Sequence, residues 1–368
     1  MLKIIHLDTG EYLRGGQHQL LMLTRGLATR GHQQLIVTMD GTRLEARARH
    51  EGFRVFTLPR HDPVGAHGIF QLRQVLLAEP FEILHAHDGK GQTISWLASM
   101  GLQVSRVASR RVIYSPPRRI DTRLKYGRTC DVVIAVSKYV RQLLIDAGVP
   151  ELKVEVIYDG VEIELPDAGA KARVRAEWDW GCRNEDFVVG CIPGEGREKG
   201  LDVVREAAPL LETSMPGVQI VTAAAAVEGK APGAVEPDSS KAERTSNLRR
   251  IVIPAQSADF FRALDLFIMP SRAEGLGSAA LVAMAHGVPV VASRVGGLPE
   301  IVEEGETGWL VPPGSPQALA DAIVHAASDT GRLHHMGNKA RQRALQFSST
   351  LMVERTEALY MRLAGKES

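Results

Sequence analysis

Cysteine is scarce in this chain. Three residues, Cys130, Cys182 and Cys191, are too few and too scattered for a disulfide framework or a structural zinc site, which points to a reducing cytoplasm. No apolar run approaches the ~18 residues that a membrane span requires. The opening stretch MLKIIHLDTG places no basic segment ahead of a long apolar run, so no secretion leader is expected from it. A formal net charge of +1 argues against a dedicated nucleic-acid binder. What is present describes a soluble globular protein: 44% hydrophobic and 24% charged residues. At 368 residues it exceeds what one core usually serves, so two domains are expected.

The charge is unevenly divided. Residues 1–165 hold 22 basic against 17 acidic side chains, a charge of +5, whereas residues 166–368 hold 22 against 26, a charge of −4. Much of the first excess lies in RVASRRVIYSPPRRIDTRLKYGR, residues 106–128, where eight basic side chains face the single acid Asp121. A solvated surface loop is one reading. The other is an exposed patch turned toward anionic lipid headgroups or a phosphorylated acceptor.

Strand-like and helix-like segments alternate along the chain. KIIHL (3–7), QLIVTM (34–39), RVFTL (54–58), EILHAH (82–87), SRVAS (105–109) and VVIAVS (132–137) read as strands. Between the first two, GGQHQLLMLTRGLATRGH carries Leu20, Leu23 and Leu27 at helical spacing. The polar, aperiodic ELPDAGAKARVRAEWDWGCRNED reads as a linker. A second series follows: FVVGCI (187–192), VQIVTA (218–223), RIVIP (250–254), LFIMPS (266–271) and PVVAS (289–293). Between Ala223 and Arg250 a stretch rich in Ala, Pro, Ser and Gly reads as a flexible surface excursion. SSTLMVERTEALYMRLAG is amphipathic and long enough for one closing helix. The expectation is α/β: two doubly wound parallel-sheet domains, 1–165 and 166–349, with a cleft between them and a helix at about 350–368 packed back on the first.

Such sheets bind ligands beyond the carboxyl ends of their strands, which directs attention to three loops. Gly15 and Gly16 lie between the first strand and the first helix, where missing side chains open backbone N–H groups to a ligand. Structural turns use such a pair as often. REKG, Arg197 to Gly200, puts Lys199 just before a helix, although an isolated lysine is more often simply solvated. In EGLGSAALVAMAHGVPVV, Glu274 precedes a helix opened by Leu276, Gly277 and Ser278. Together the loops describe a diphosphate site without metal, its positive charge supplied by helix N-termini and a lysine.

The ordered motifs GG (15–16), HAHD (85–88), VIAVSKYVRQLL (133–144), VIYDGVE (156–162), REKGLDVVREA (197–207), MPSRAEGLGSAALVAMAHGVPVVAS (269–293) and GGLPEIVEEGETGWLVPPGSPQALADAI (296–323) resemble the family 4 glycosyltransferases of GT-B fold. The resemblance covers nearly the whole chain. It implies two Rossmann-like domains, the first binding the acceptor and the second the nucleotide-sugar. The implied reaction is sugar transfer from that donor with retention of configuration and with neither metal nor separate cofactor. The implied acceptor is a glycan, a lipid-linked intermediate or an envelope polysaccharide. The implied setting is cytoplasmic, with peripheral contact on the inner face of an anionic membrane. By residue, the resemblance has Gly15 and Gly16 cradle the donor phosphates, His87 face the transferred sugar, and His85 pack within its strand. Lys199 would neutralise the leaving diphosphate, Glu274 contact the sugar hydroxyls, and the 276–278 backbone hold phosphate. No glycosidase-like carboxylate pair is evident, which fits a front-face mechanism.

Three donor-side positions depart from the family pattern. An arginine usual five residues before the lysine is Gly194, a second acid usual eight residues after Glu274 is Val282, and a glycine turn is replaced by AAAAV. A hydrogen bond involving a charged group is worth roughly 1.5–3 kcal/mol, so losing both charged residues removes about 3–6 kcal/mol of donor binding. That corresponds to roughly 10²–10⁴ in affinity, unless Arg197 or Glu195 substitutes. Three readings stay open: an active transferase, a weakened or inactive relative with a binding or regulatory role, and another reaction on the same fold, such as nucleotide-sugar epimerisation or phosphorolysis.

Overall fold

The computed structural model describes residues 1–60, 65–111, 113, 119–164, 169–177, 182–183, 185–193, 196–225, 235–236, 247–253 and 258–366. Contacts divide the chain into two compact units, Met1–Gly160 with Ser349–Ser368, and Val161–Ser348.

The first unit is built from β1 (Lys3–Leu7), α1 (Gly15–Thr29), β2 (Gln33–Met39), α2 (Arg43–His50), β3 (Arg54–Leu58), α3 (Ala66–Ala78) and β4 (Ile83–Ala86). It continues with α4 (Gly89–Ala98), β5 (Ser105–Arg110), α5 (Arg119–Gly127), β6 (Val132–Ala135), α6 (Lys138–Asp146) and β7 (Val154–Val156). The strands form one parallel sheet in the order β3-β2-β1-β4-β5-β6-β7. Parallel strands need helices on both faces, and the period-2 alternation of β1 supplies both cores. Ile4 packs with Leu23 and Leu27 of α1, whereas Ile5 packs with Leu72 and Leu76 of α3 and Ile94 of α4.

The second unit comprises α7 (Ala170–Glu177), β8 (Phe187–Cys191), α8 (Leu201–Ser214), β9 (Val218–Ala225), β10 (Val235–Glu236), β11 (Leu248–Ile253), α9 (Ala258–Arg262) and β12 (Leu266–Met269). It ends with α10 (Ser278–Ala285), β13 (Val290–Ser293), α11 (Leu298–Ile301), β14 (Gly308–Val311), α12 (Pro316–Ala327) and α13 (Thr330–Ala344). Its sheet order is β10-β11-β9-β8-β12-β13-β14, parallel except for the short antiparallel β10. Val189 and Cys191 of β8 and Ile268 of β12 pack beneath Val203, Val204 and Leu211 of α8 and Leu319 and Ile323 of α12.

The chain then returns to the first unit as α14 (Ser349–Leu363). Leu359 and Tyr360 are fully buried there, each worth about 1.5–3 kcal/mol. Gly26 of α1 permits the close approach, since a Cβ on it would lie 2.4 Å from Val353 Cγ2. Tyr360 also meets His85 Nδ1 at 2.5 Å, and Glu357 meets His32 Nε2 at 2.7 Å.

Two segments differ from the sequence expectation. Within the expected linker, residues 170–177 form α7, and residues 165–168, 178–181 and 184 lie outside the described residues. Hydrophobic period missed α7 because Arg175, not an apolar stripe, anchors it. The buried guanidinium donates to the Ala263 and Asp186 carbonyls and to Asp265 at 2.9, 3.1 and 2.7 Å. In the expected excursion, β9 runs on through Ala224 and Ala225, which pair with Val252 and Ile253, and β10 pairs with β11. Residues 226–234 and 237–246 lie outside the described residues.

Candidate active site

Each sheet has a point where strand order reverses, between β1 and β4 in the first unit and between β8 and β12 in the second. The loops leaving two such strands diverge and open a crevice at their carboxyl ends. Gly15, Gly16, His87, Lys199, Glu274 and residues 276–278 lie on or beside these loops.

In the first unit, the loop after β1 is organised by Asp8. Its Oδ1 accepts from the Gly10 N–H and from Gln17 Nε2, each at 2.8 Å, while Gln17 Oε1 accepts from the Arg14 N–H at 3.0 Å. A Cβ on Gly10 would lie 2.3 Å from Gln17 Nε2, so a larger residue there would displace the Gln17 amide from Asp8. Gly15 and Gly16 then open α1, with Arg14 at its N-cap. Asp88 caps α4, accepting from Lys90 N and Gly91 N at 2.7 and 2.8 Å, and also binds Thr9 Oγ1 at 2.9 Å. Burial, and next the charge of Asp88, push the Asp8 carboxyl up to about 6.

His85 and His87 project from and just beyond β4 and are both buried, as is His6 on the neighbouring strand. His85 binds Tyr360 and Ser109, His6 binds Gln34, and His6 Nδ1 lies 3.1 Å from His87 Nε2. His87 Nδ1 faces Arg111 Nη1 at 3.4 Å, and Arg111 Nε donates to Asp159 at 2.9 Å. Burial holds His85 and His87 well below the usual imidazole range, with the neighbouring histidines and Arg111 opposing a second charge there, and lowers His6 to about 4. All three rings are therefore neutral near pH 7. Their closest nitrogens lie within 4.8 Å of one another, a span that a metal ion could bridge. The donor set fits a metal poorly, because an ion there would break the His6–His87 bond and sit against the Arg111 guanidinium.

In the second unit, residues Arg197–Lys199 form one 3₁₀ turn ahead of α8. Lys199 Nζ donates to Glu274 Oε2 at 2.9 Å, and Ser271 Oγ to the same oxygen at 3.3 Å. The two loops are fastened together by Arg272, which grips both oxygens of Asp202 at 2.7 Å and donates to the Arg197 carbonyl at 3.0 Å. Gly200 lets them touch, because a Cβ there would lie 2.0 Å from the Pro270 carbonyl oxygen. Gly296, at φ +57°, lies so close that a Cβ would fall 1.7 Å from the Glu274 carbonyl oxygen. Gly277 takes the left-handed conformation, φ 108°, at the N-cap of α10 beside buried Leu276. Ser278, Ala279 and Val282 form a half-buried stripe along that helix, so Val282 is accessible. Gly194 and Glu195 lie outside the described residues, and Arg197 is exposed.

The structure thus brings Lys199 to Glu274 in one unit, and places His87 beside Arg111, itself 3.8 Å from a Cβ built on Gly16, in the other. Among the described residues, the basic segment 106–128 is less exposed than expected. Arg106 pairs with Asp131, Arg110 with Tyr126 and Arg111 with Asp159, and Lys125 is half-buried, because β5 and α5 draw these stems inward. Arg123, Leu124 and Arg128 are exposed, and residues 112 and 114–118 lie outside the described residues. Sequence reasoning missed Asp8, His6, Gln34, Arg111, Asp159, Arg272 and Asp202 as site residues. A polar residue inside an apolar strand, as in KIIHL and QQLIVTM, was the available signal for His6 and Gln34.

Two parallel-sheet Rossmann-like units, each with ligand loops at its strand-order reversal, define the GT-B class of transferase. Solved structures of that fold match the chain nearly end to end. Anabaena HepE in complex with UDP-glucose matches with a TM-score of 0.83 at 22% identity, over 98% of this chain and 99% of that one. Sucrose-phosphate synthase from Thermosynechococcus elongatus matches at 0.80 and 18%, over 100% of each. The model for Glycosyltransferase Family 4 matches residues 13–165, and that for Glycosyl transferases group 1 matches residues 187–329. A GDP-mannose-dependent alpha-(1-6)-phosphatidylinositol monomannoside mannosyltransferase of Mycolicibacterium smegmatis is 32% identical over 68% of this chain and 69% of its own length. A D-inositol 3-phosphate glycosyltransferase of Kribbella flavida is 28% identical over 78% and 73%. The chain belongs to family 4 of the glycosyltransferases.

Proposed function

We propose that this glycosyltransferase moves a hexosyl group from a nucleotide-sugar to a glycan, lipid-linked or other envelope acceptor, with retention of configuration and without metal. The observation carrying the proposal is the Lys199–Glu274 pair, held at 2.9 Å at the strand-order reversal of the second sheet. Lys199 stabilises the negative charge that develops on the leaving diphosphate, and Glu274 accepts from sugar hydroxyls. Gly15, Gly16 and the 276–278 backbone contact phosphate, and His87 faces the transferred sugar. The C1–O bond to phosphate breaks, the bond from C1 to the acceptor oxygen forms on the same face, and the acceptor proton passes to the departing phosphate oxygen. Exposed Arg123, Leu124 and Arg128 support contact with an anionic membrane. Relatives named for inositol-phosphate and phosphatidylinositol-mannoside acceptors support an anionic polyol acceptor.

The test is transfer from a panel of UDP-, GDP- and ADP-sugars in the presence of EDTA, with the product anomer read by NMR. Lys199→Ala should lower kcat about 10²–10³-fold at an unchanged unfolding temperature. Inversion, dependence on metal, or an active Lys199→Ala would overturn the proposal. Accessible Val282 favours a second reading, a weakened relative with a binding role; nucleotide binding without transfer across the panel would select it.

A further inference from the structure

A run of hydrogen bonds passes beneath His87, and both of its ends are chemically unambiguous. At one end the Thr24 carbonyl can only accept. It lies 2.8 Å from Gln34 Nε2, so the amide nitrogen faces the carbonyl and Oε1 faces His6 Nε2 at 3.1 Å. Because Oε1 can only accept, His6 Nε2 carries that ring's proton and its Nδ1 is bare. The bare Nδ1 lies 3.1 Å from His87 Nε2, which must then be the protonated nitrogen. His87 Nδ1 is therefore bare too, and the group opposite it is the Arg111 guanidinium at 3.4 Å, which can only donate. The assignments made from the two ends agree. Every donor in the run points the same way, from Arg111 through His87, His6 and Gln34 to the backbone of α1, and Asp159 holds the guanidinium in place through Nε at 2.9 Å.

We propose that Gln34 and His6 are positioning residues that lock His87 in its Nε2–H tautomer, so that its Nδ1 presents a lone pair. The lock needs neutral rings, and burial keeps them so. A ligand hydroxyl reaching Nδ1 would replace Arg111 Nη1 and would have to donate. His87 therefore acts there as an acceptor and cannot serve as a general acid. His85 lies outside the run, with both ring nitrogens on Tyr360 and Ser109. What the lock contributes to catalysis rests on the proposed role of His87 toward the transferred sugar; the tautomer itself does not.

The experiment is a long-range proton–nitrogen correlation spectrum of the full chain labelled with ¹⁵N-histidine, at pH 7 and without substrate. His6 and His87 signals are assigned by their loss in His6→Phe and His87→Asn. Wild type should show both rings protonated on Nε2 alone. Gln34→Leu should lose the single-tautomer pattern at both rings, because the one constraint left is the longer 3.4 Å contact from Arg111, whereas Arg111→Ala should keep it, because the 2.8 and 3.1 Å bonds of Gln34 remain. A wild-type His87 protonated on Nδ1 overturns the proposal, and so does a tautomer that changes in Arg111→Ala but not in Gln34→Leu. If Gln34→Leu does not fold, wild type and Arg111→Ala still decide. A chain inert toward every nucleotide-sugar but showing the Nε2–H tautomer would sink the proposed transfer and leave the lock standing.

Discussion

Asp8→Asn should make the protein more stable above pH 6 and remove part of its pH dependence. The folded-state pKa of Asp8 is raised from 3.8 to about 6, first by burial and next by Asp88, with Gln17, Gly10 and Arg111 opposing. Between those two values the folded chain binds more protons than the unfolded one, so stability falls as pH rises through the window and levels off above it. A shift of about two units corresponds to about 3 kcal/mol, an order-of-magnitude ceiling for a carboxyl so close to another. Asparagine has the same shape, and its Oδ1 can still accept from Gly10 and Gln17. At roughly 2–4 °C per kcal/mol for a unit of this size, the variant should unfold up to about 6–12 °C above wild type at pH 7.5. The assay is thermal unfolding of both proteins from pH 4 to 8, reading their difference so that other titrating groups cancel. A difference that does not change across the window, or a variant less stable than wild type at pH 7.5, refutes the reasoning.

Three further substitutions, one of them a control, test the second unit. Gly296→Ala should destabilise well beyond the roughly 1–2 kcal/mol of a left-handed residue, because its Cβ would press on the Glu274 carbonyl. Gly305→Ala, at φ +75° with nothing within 4 Å, supplies the control, and equal losses in a denaturation experiment would refute the contact. Val282→Glu, on the accessible stripe of α10, should tighten nucleoside diphosphate binding by about 1.5–3 kcal/mol. Titration calorimetry measures it; micromolar binding by wild type with no gain in the variant would mean that other residues hold the nucleotide.

The sequence by itself determined the elements whose cause is local. β1 and β3 have the bounds that alternation of apolar residues indicated, and Leu20, Leu23 and Leu27 are the buried stripe of α1. Lys199 and Glu274 could be singled out because each follows a strand in a class of sheet whose ligands lie beyond the strand ends. Tertiary structure decided what those residues touch. The Lys199–Glu274 bond spans 75 positions and closes only because Gly200 and Gly296 let three loops approach backbone to backbone. α7 was invisible to any hydrophobic period because its anchor is a buried arginine bonded to groups up to 90 positions away. The basic run that read as a surface contains Arg111, whose partners Asp159 and His87 arrive from other strands. A hydrogen-bond direction depends on which neighbour can only donate and which can only accept, and the fold supplies those neighbours. Thus a histidine could be read from the chain, but the nitrogen that holds its proton could be read only from the packing of β1, β2 and α1 around it.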